Sequence, residues 1–530
     1  MTSQTKRAPL SPETVKIRET LTPLVSALEA APDWYGSVYF ECKSSNYFQA
    51  DLKKTNVSEN VTMGVVLRIF DGVTMYEKAT DELEAPALRK AVDELVARVR
   101  AAQGDETYRG LPRRPYRPAS WRERLALPLE EEIRVQVPAD VKASTPVHFG
   151  IRFDVAPDAV AGEARLARLK QLLARCQELA PRFGLKAEDI TYGSALERFH
   201  LEETVFIDRE VNLSQTLYRF AANVTLRSGG ERSYFYVGGL GGREVIEVPE
   251  VELENVLRDL HGLKHAERLK PGKYRVLFAP CISGVLAHEA FGHSQEGDTC
   301  VRGRSKAWDL YHSGELVGNR HATILNNPAM YENGDQKYAA WGSYFFDEEG
   351  WFAQEQVLLE SGKLKPPMTN LTSAVRLGVP RTANGKRESW ASGVYTRQTN
   401  TYFSPGEETY GQLLAQIEDG FLAVRPAGGM EDPKGMGIQV GMAYVKEVKG
   451  GKLTGRFFKG PTGGEIQMTG YTPEVLNSIL GKSKIEAERA GPDQARFPYN
   501  DAGGCGKYHK ELVFAGSGGP YMLMDQVVLG

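Results

Sequence analysis

The sequence predicts an α+β fold. A mixed α/β N-terminal region precedes a glycine-rich, mostly antiparallel β C-terminal domain, and that domain carries the helix with the densest set of candidate site residues. Three observations predict this. Glycine is unevenly spread, with 54 in 530 residues, 16 of them in residues 1–270 and 38 in residues 271–530. Such a half must hold many tight turns and close backbone approaches, because glycine destabilises regular elements elsewhere. Runs of β-branched and aromatic residues bounded by glycine pairs recur along the chain. Apolar residues at helical spacing mark a few amphipathic helices between those runs.

Taken in order, Val65–Phe70 and Val73–Tyr76 flank Asp71-Gly72, a two-residue hairpin signal. Pro86 opens a helix with Leu88, Val92, Leu95 and Val99 on one stripe. Residues 104–121 are rich in Gly and Pro and read as a linker or irregular surface segment. Residues 161–180 hold Leu166, Leu169, Leu172, Leu173, Cys176 and Leu179 at helical spacing. Residues 188–238 read as strands, with Gly229-Gly230 as a hairpin turn. A helix with Leu253, Val256, Leu257 and Leu260 follows. Beyond Pro271, Tyr274–Ala279 is a strand, and Val445–Val448 and Lys452–Phe458 bracket Gly450-Gly451. Thr472-Pro473-Glu474 opens a short helix that Gly481 can close. The chain ends in strands over 511–516 and 521–530. The expected domains are 1–120 (N-terminal α/β), 121–270 (middle α/β) and 271–530 (C-terminal, β-rich).

Composition excludes several classes. Lys plus Arg is 65 and Asp plus Glu 68, a net charge of −3, so there is no footprint for nucleic acid or for an anionic membrane surface. No stretch of about 18 apolar residues predicts a membrane-spanning helix. The N-terminal residues lack an apolar signal core, and five scattered cysteines do not make a disulfide framework. The expected location is the cytoplasm. There each cysteine is a small buried residue, a ligand or a nucleophile.

The strongest local signal is Leu286-Ala287-His288-Glu289-Ala290-Phe291-Gly292-His293. Histidine is a common metal ligand, and a glutamate beside a metal site can act as general base. The zinc-peptidase pattern H-E-x-x-H sets both histidines on one helix face. Here the spacing is i, i+5, which separates them by about 140° on a regular helix. One ion can bind both only if the helix is distorted. A π-type bulge or a break would align them, and Gly292 is where such a distortion is tolerated. The competing reading is a helix with two ordinary histidines. A second signal is Asp501-Ala502-Gly503-Gly504-Cys505-Gly506-Lys507, where glycines let a thiolate press against another element. Two imidazoles, a thiolate and an open position would make a catalytic zinc site. A cysteine in a β-turn is the alternative.

The stretch from Pro280 to Asp298 resembles the TldD/PmbA family of metallopeptidases, in particular the catalytic TldD branch with H-E-x-x-x-H, a motif that the PmbA (TldE) branch lacks. Further stretches are similar to the family in the same order. They are residues 384–390, the run Arg397–Tyr402, Gly428-Gly429 before Asp432-Pro433-Lys434-Gly435, Cys505-Gly506-Lys507, and residues 516–520. The resemblance implies zinc as cofactor, with His288, His293 and Cys505 as its ligands and Glu289 as catalytic base. It also implies a two-subunit assembly, with a PmbA/TldE-like partner as heterodimer or with a second copy as homodimer, enclosing small or unfolded peptide substrates. Tyr508-His509-Lys510 departs from the family pattern, so no role is carried onto those residues.

Around this set, Glu296 and Asp298 could orient a ligand imidazole or cap the next turn. Cys281 and Cys300 read as packing residues. Arg387 and Arg397 are candidates for substrate or intersubunit contact, or for structural salt bridges. The expected function is zinc-dependent hydrolysis of peptide bonds. Two rivals remain at this level: a non-catalytic, zinc-stabilised subunit or scaffold, and a metal-free cysteine hydrolase built on Cys505 and a histidine.

Overall fold

The computed structural model describes residues 6–333, 338–486, 494, 501–507 and 510–530. The first half is organised by one seven-stranded sheet. Its strands are β1 (Tyr35–Asp51), β2 (Thr55–Phe70), β3 (Met75–Thr80), β4 (Pro146–Gly150), β5 (Tyr192–Ile207), β6 (Asn212–Ser228) and β7 (Glu231–Leu240). The order is β3-β2-β1-β5-β6-β4, with β7 also on β6. β1 pairs antiparallel with β5 from Val38↔Ile207 to Asp51↔Ser194. The two segments expected as N-terminal domains therefore share one sheet.

Local chemistry accounts for most elements. Gly229 and Gly230 both have positive φ, 58° and 89°, which a two-residue hairpin between β6 and β7 requires. At Asp71-Gly72 the expected two-residue turn is instead a four-residue loop, because the Asp71 carboxylate accepts from the backbone N–H of Val73 and Thr74 and draws them out of the strand. Residues 104–121 are strapped down rather than free: Arg114 N–H donates to Gly72 O, and Tyr116 packs edge-on against Tyr35 at 4.8 Å. Helices Gly162–Leu179 and Glu250–Lys264 cover one face of the sheet. Leu169, Leu173 and Cys176 meet Leu253, Val256 and Leu260 there, over Phe199, Phe220 and Phe235. Cys176 is fully buried in that core.

The second half holds two larger sheets and is mostly antiparallel. In the ten-stranded sheet, Gly272–Phe278 lies between antiparallel Met522–Leu529 and parallel Asp419–Ala423. In the six-stranded sheet, Asn400–Phe403 lies between Ile324–Asn326 and Lys510–Ser517, and Asp501–Lys507 forms the edge. Gly450 and Gly451 make the expected turn between Val445–Lys449 and Lys452–Lys459. The helix expected to run toward Gly481 stops at Asn477, and Gly481 sits instead in strand Ile479–Lys482, paired to Leu523. Helix Pro280–Ala287 lies between the two sheets. Its Gly284 faces the backbone of Gly518 so closely that a side chain there has no room. No helix among the described residues is long and apolar enough to cross a membrane.

Candidate metal centre

The site is built on a change of helical pitch. Helix Pro280–Ala287 continues as a single π turn, His288–Gly292, and then a 3-10 turn, His293–Gln295. The His293 N–H donates to the His288 carbonyl, five residues back. That widened turn brings together the histidines that a regular helix would separate, and their rings pack edge-to-face with centroids 4.9 Å apart. Gly292 permits it: a Cβ there would run into the Gln398 side-chain carbonyl. The Gln398 amide donates to the His288 carbonyl at 3.3 Å, and its oxygen accepts from the Thr401 hydroxyl at 2.9 Å.

Cys505 arrives from strand Asp501–Lys507, and its Sγ lies 3.3 Å from His293 Nε2. Ligand atoms of His288, His293 and Cys505 all lie within 4.8 Å of one another. Burial alone would raise the Cys505 thiol, yet His293 and His288 draw it well below the usual cysteine range. Burial alone would lower His293, yet Cys505 and Glu296 hold it well above the usual histidine range. A cysteine held toward thiolate thus lies beside two histidine rings held toward their charged form.

Behind it lies an ionic brace. Glu296 Oε2 lies 3.4 Å from His293 Nδ1, which leaves Nε2 to face inward. Lys507 reaches Glu296 at 2.9 Å and Asp298 at 2.5 Å, and Arg397 approaches Glu296 at 3.5 Å. Against the effect of burial, Lys507, His293 and Arg397 keep Glu296 well below the usual carboxylate range. Arg397 also donates to the Cys505 carbonyl at 2.5 Å. Asp298 pairs with Lys507, the same lysine that reaches Glu296.

Glu289 sits on the π turn beside His288 and is buried. Gly429, on edge strand Pro426–Asp432, packs against it, with room for no Cβ. Glu431 on the same strand completes a cluster with Glu289 and His293, all within 4.8 Å. Burial and the neighbouring Glu289 carboxyl push Glu431 up to about 8. Sequence reasoning missed Glu431, Gln398 and Lys507 as site residues. Their only sequence signal was that they lie inside or beside stretches already singled out.

The remaining candidates lie outside this cluster. Arg387 is buried, pairs with Glu77 at 2.8 Å and stacks on Tyr39 at 5.4 Å, within the interior of the chain. Cys281 bonds the Val424 carbonyl, and burial pushes the Cys300 thiol up to about 12. Tyr508 and His509 lie outside the described residues, as does the side chain of Lys510.

His288, Glu289, Glu431 and Cys505 open onto a cavity of about 1710 Å³. Its opposite wall is the face of β5–β7 turned away from the helices, including Arg198, Asn223, Tyr234 and Tyr236.

Residues 271–530 match the model of the PmbA/TldA metallopeptidase C-terminal domain. A metalloprotease of Methanocaldococcus jannaschii is 28% identical over 285 residues, 53% of this chain and 59% of that protein. A zinc metalloprotease TldD homolog of Saccharolobus solfataricus is 25% identical over 373 residues, 69% of this chain and 76% of that protein. The chain thus spans about three fifths to three quarters of the length of these relatives. Among solved structures, TldE from Thermococcus kodakarensis aligns over 97% of this chain and all of its own, with TM-score 0.64 and 13% identity. A Thermotoga maritima protein aligns over 98% of this chain and all of its own, with TM-score 0.66 and 14% identity. At those identities the structures share the fold alone.

Proposed function

The chain belongs, through residues 271–530, to the TldD/PmbA family of metallopeptidases, and on that premise we propose that it is a zinc-dependent peptidase. One observation carries the reading: His288, His293 and Cys505 converge, with Glu289 on the same π turn facing the cavity. A cysteine and two histidines with ligand atoms this close would hold zinc as a thiolate and two neutral imidazoles, giving up their protons on binding. Zinc held there supplies Lewis acidity, polarising a carbonyl and lowering the pKa of water toward about 7.

The chain's own residues do the rest. Glu289 takes the proton of the attacking water on a carboxylate oxygen and delivers it to the leaving amine. Glu296, braced by Lys507 and Arg397, holds the His293 ring through Nδ1. Strand Pro426–Asp432 ends the order of its sheet and lines the cavity, so an extended peptide can lie along its backbone. That mode reads main chain before side chain and suits small or unfolded peptides. A PmbA/TldE-like subunit or a second copy would close the cavity, in the cytoplasm.

The test is zinc content and peptide cleavage of the wild type, Glu289→Ala and Cys505→Ser. The expected result is loss of zinc in Cys505→Ser, and loss of cleavage with zinc retained in Glu289→Ala. Cleavage that survives complete zinc removal would overturn the metallopeptidase reading. Zinc retained without any cleavage by the wild type would favour a zinc-stabilised subunit instead.

A further inference from the structure

We propose that the tip of the β6–β7 hairpin is an anion subsite of the cavity, where Arg232, with Arg227 opposite and Tyr234 beside it, receives a carboxylate of the peptide substrate. The proposal rests on the peptidase reading above and narrows its substrates.

Arg227 and Arg232 are directly opposite in the β6–β7 register, one step from the Gly229-Gly230 turn. Both are exposed. Like charges in that relation destabilise a sheet unless an anion lies between them. Among the described residues no carboxylate pairs with either arginine. The adjacent Glu231 is already held by Lys459 at 2.5 Å. Each guanidinium instead rests on an aromatic ring, Arg232 on Tyr234 at 4.9 Å and Arg227 on Tyr192 at 5.8 Å. A guanidinium held near a ring in this way still presents N–H groups that can grip a carboxylate.

The position fits a peptide being cut. Gly230, Glu231, Arg232 and Tyr234 line the same cavity as His288 and Glu289. The Tyr234 hydroxyl donates to the Pro426 carbonyl at 3.3 Å. Pro426 opens the edge strand whose Gly429 packs on Glu289. Three residues of strand span about 10 Å. A peptide lying along this strand, with its scissile carbonyl at Glu289, brings a group about three residues away to Arg232. The carboxylate is either an acidic side chain or the C-terminus of the peptide.

Short fluorogenic peptides separate these sources. One series differs only in Glu against Gln at a position swept along the peptide. The other differs only in a free acid against an amide at the C-terminus. The expected result with the zinc-loaded protein is a kcat/KM preference of about tenfold for the charged member of one series, reduced by salt. It should vanish in Arg232→Gln and persist in part in Arg232→Lys. Each ratio is formed within one protein, so changes in fold or zinc content cancel. The proposal is overturned if the wild type shows no preference in either series, or if Arg232→Gln keeps the wild-type ratio. If the loaded protein cleaves nothing, the peptidase reading fails separately. The same peptides, bound to Glu289→Gln and followed by fluorescence anisotropy, then test the subsite. A preference lost on adding Arg232→Gln supports it, and equal binding of both members sinks it.

Discussion

Cys505 Sγ lies 3.3 Å from His293 Nε2, although the two residues stand 212 positions apart. The contact joins the 3-10 turn that follows the π turn to an edge strand of the six-stranded sheet. Neither element alone makes a site, so properties of the centre should respond to changes in the parts that hold them together.

The first such part is Glu296. It fixes the His293 ring from behind and is itself fixed by Lys507 and Arg397. Glu296→Gln keeps the shape and removes the charge. Zinc affinity, read by competition with a chromophoric chelator, should fall about 10- to 100-fold. Unchanged affinity would mean that His293 is oriented by its backbone alone.

The second is Gly292. In Gly292→Ala the new methyl meets the Gln398 side-chain carbonyl. Overpacking of this kind costs about 1–3 kcal/mol, and here it falls on the π turn that aligns the histidines. Zinc affinity should drop by more than the melting temperature suggests. Adding Gln398→Ala should restore much of it. A double variant no better than the single one would place the strain elsewhere.

The histidine spacing was legible in sequence as a geometric demand, since i, i+5 excludes a regular helix and Gly292 marks where the pitch can change. The excess glycine of the second half was legible only as turns and close approaches. The fold shows three such approaches at the centre, Gly284 on Gly518, Gly292 on Gln398 and Gly429 on Glu289. Glu431 was not legible as a site residue, although it lies beside Asp432 in a stretch already singled out, because it reaches Glu289 only through the packing of edge strand Pro426–Asp432 on the π turn, about 140 positions away in sequence. The pairing of β1 with β5 was hidden for the same reason, with residues 52–191 lying between them. Arg387 illustrates the converse: a residue inside a family-like stretch whose partner, Glu77, belongs to β3.

Arg387 accordingly gives a prediction about stability. Its guanidinium also donates to the Ser392 carbonyl at 2.6 Å and is buried. Glu77 is 23% exposed and keeps Arg68 at 2.9 Å, so the loss falls below the cost of about 3–5 kcal/mol for a fully buried pair broken on one side. Arg387→Gln should lower the denaturation midpoint strongly and leave zinc affinity of the folded protein unchanged. A variant of normal stability with impaired peptide cleavage would instead assign Arg387 to substrate or subunit contact.

Lys482 supplies a pH signature remote from the metal centre. It ends strand Ile479–Lys482, is 4% exposed, and its Nζ contacts the Ser404 hydroxyl at 2.9 Å. Burial lowers its pKa from 10.5 to about 8, with Glu408 opposing only in part. The folded state therefore binds fewer protons than the unfolded state between those values. The destabilisation is fully present below about pH 8 and is relieved as pH rises toward 10.5. At 1.36 kcal/mol per unit it amounts to a few kcal/mol. Lys482→Met keeps the stem and removes the charge, so it should raise stability at pH 7. It should also flatten the dependence of stability on pH across that window. Urea denaturation of both proteins at several pH values checks this, and identical slopes in the two proteins would show that Lys482 is solvated in the folded state.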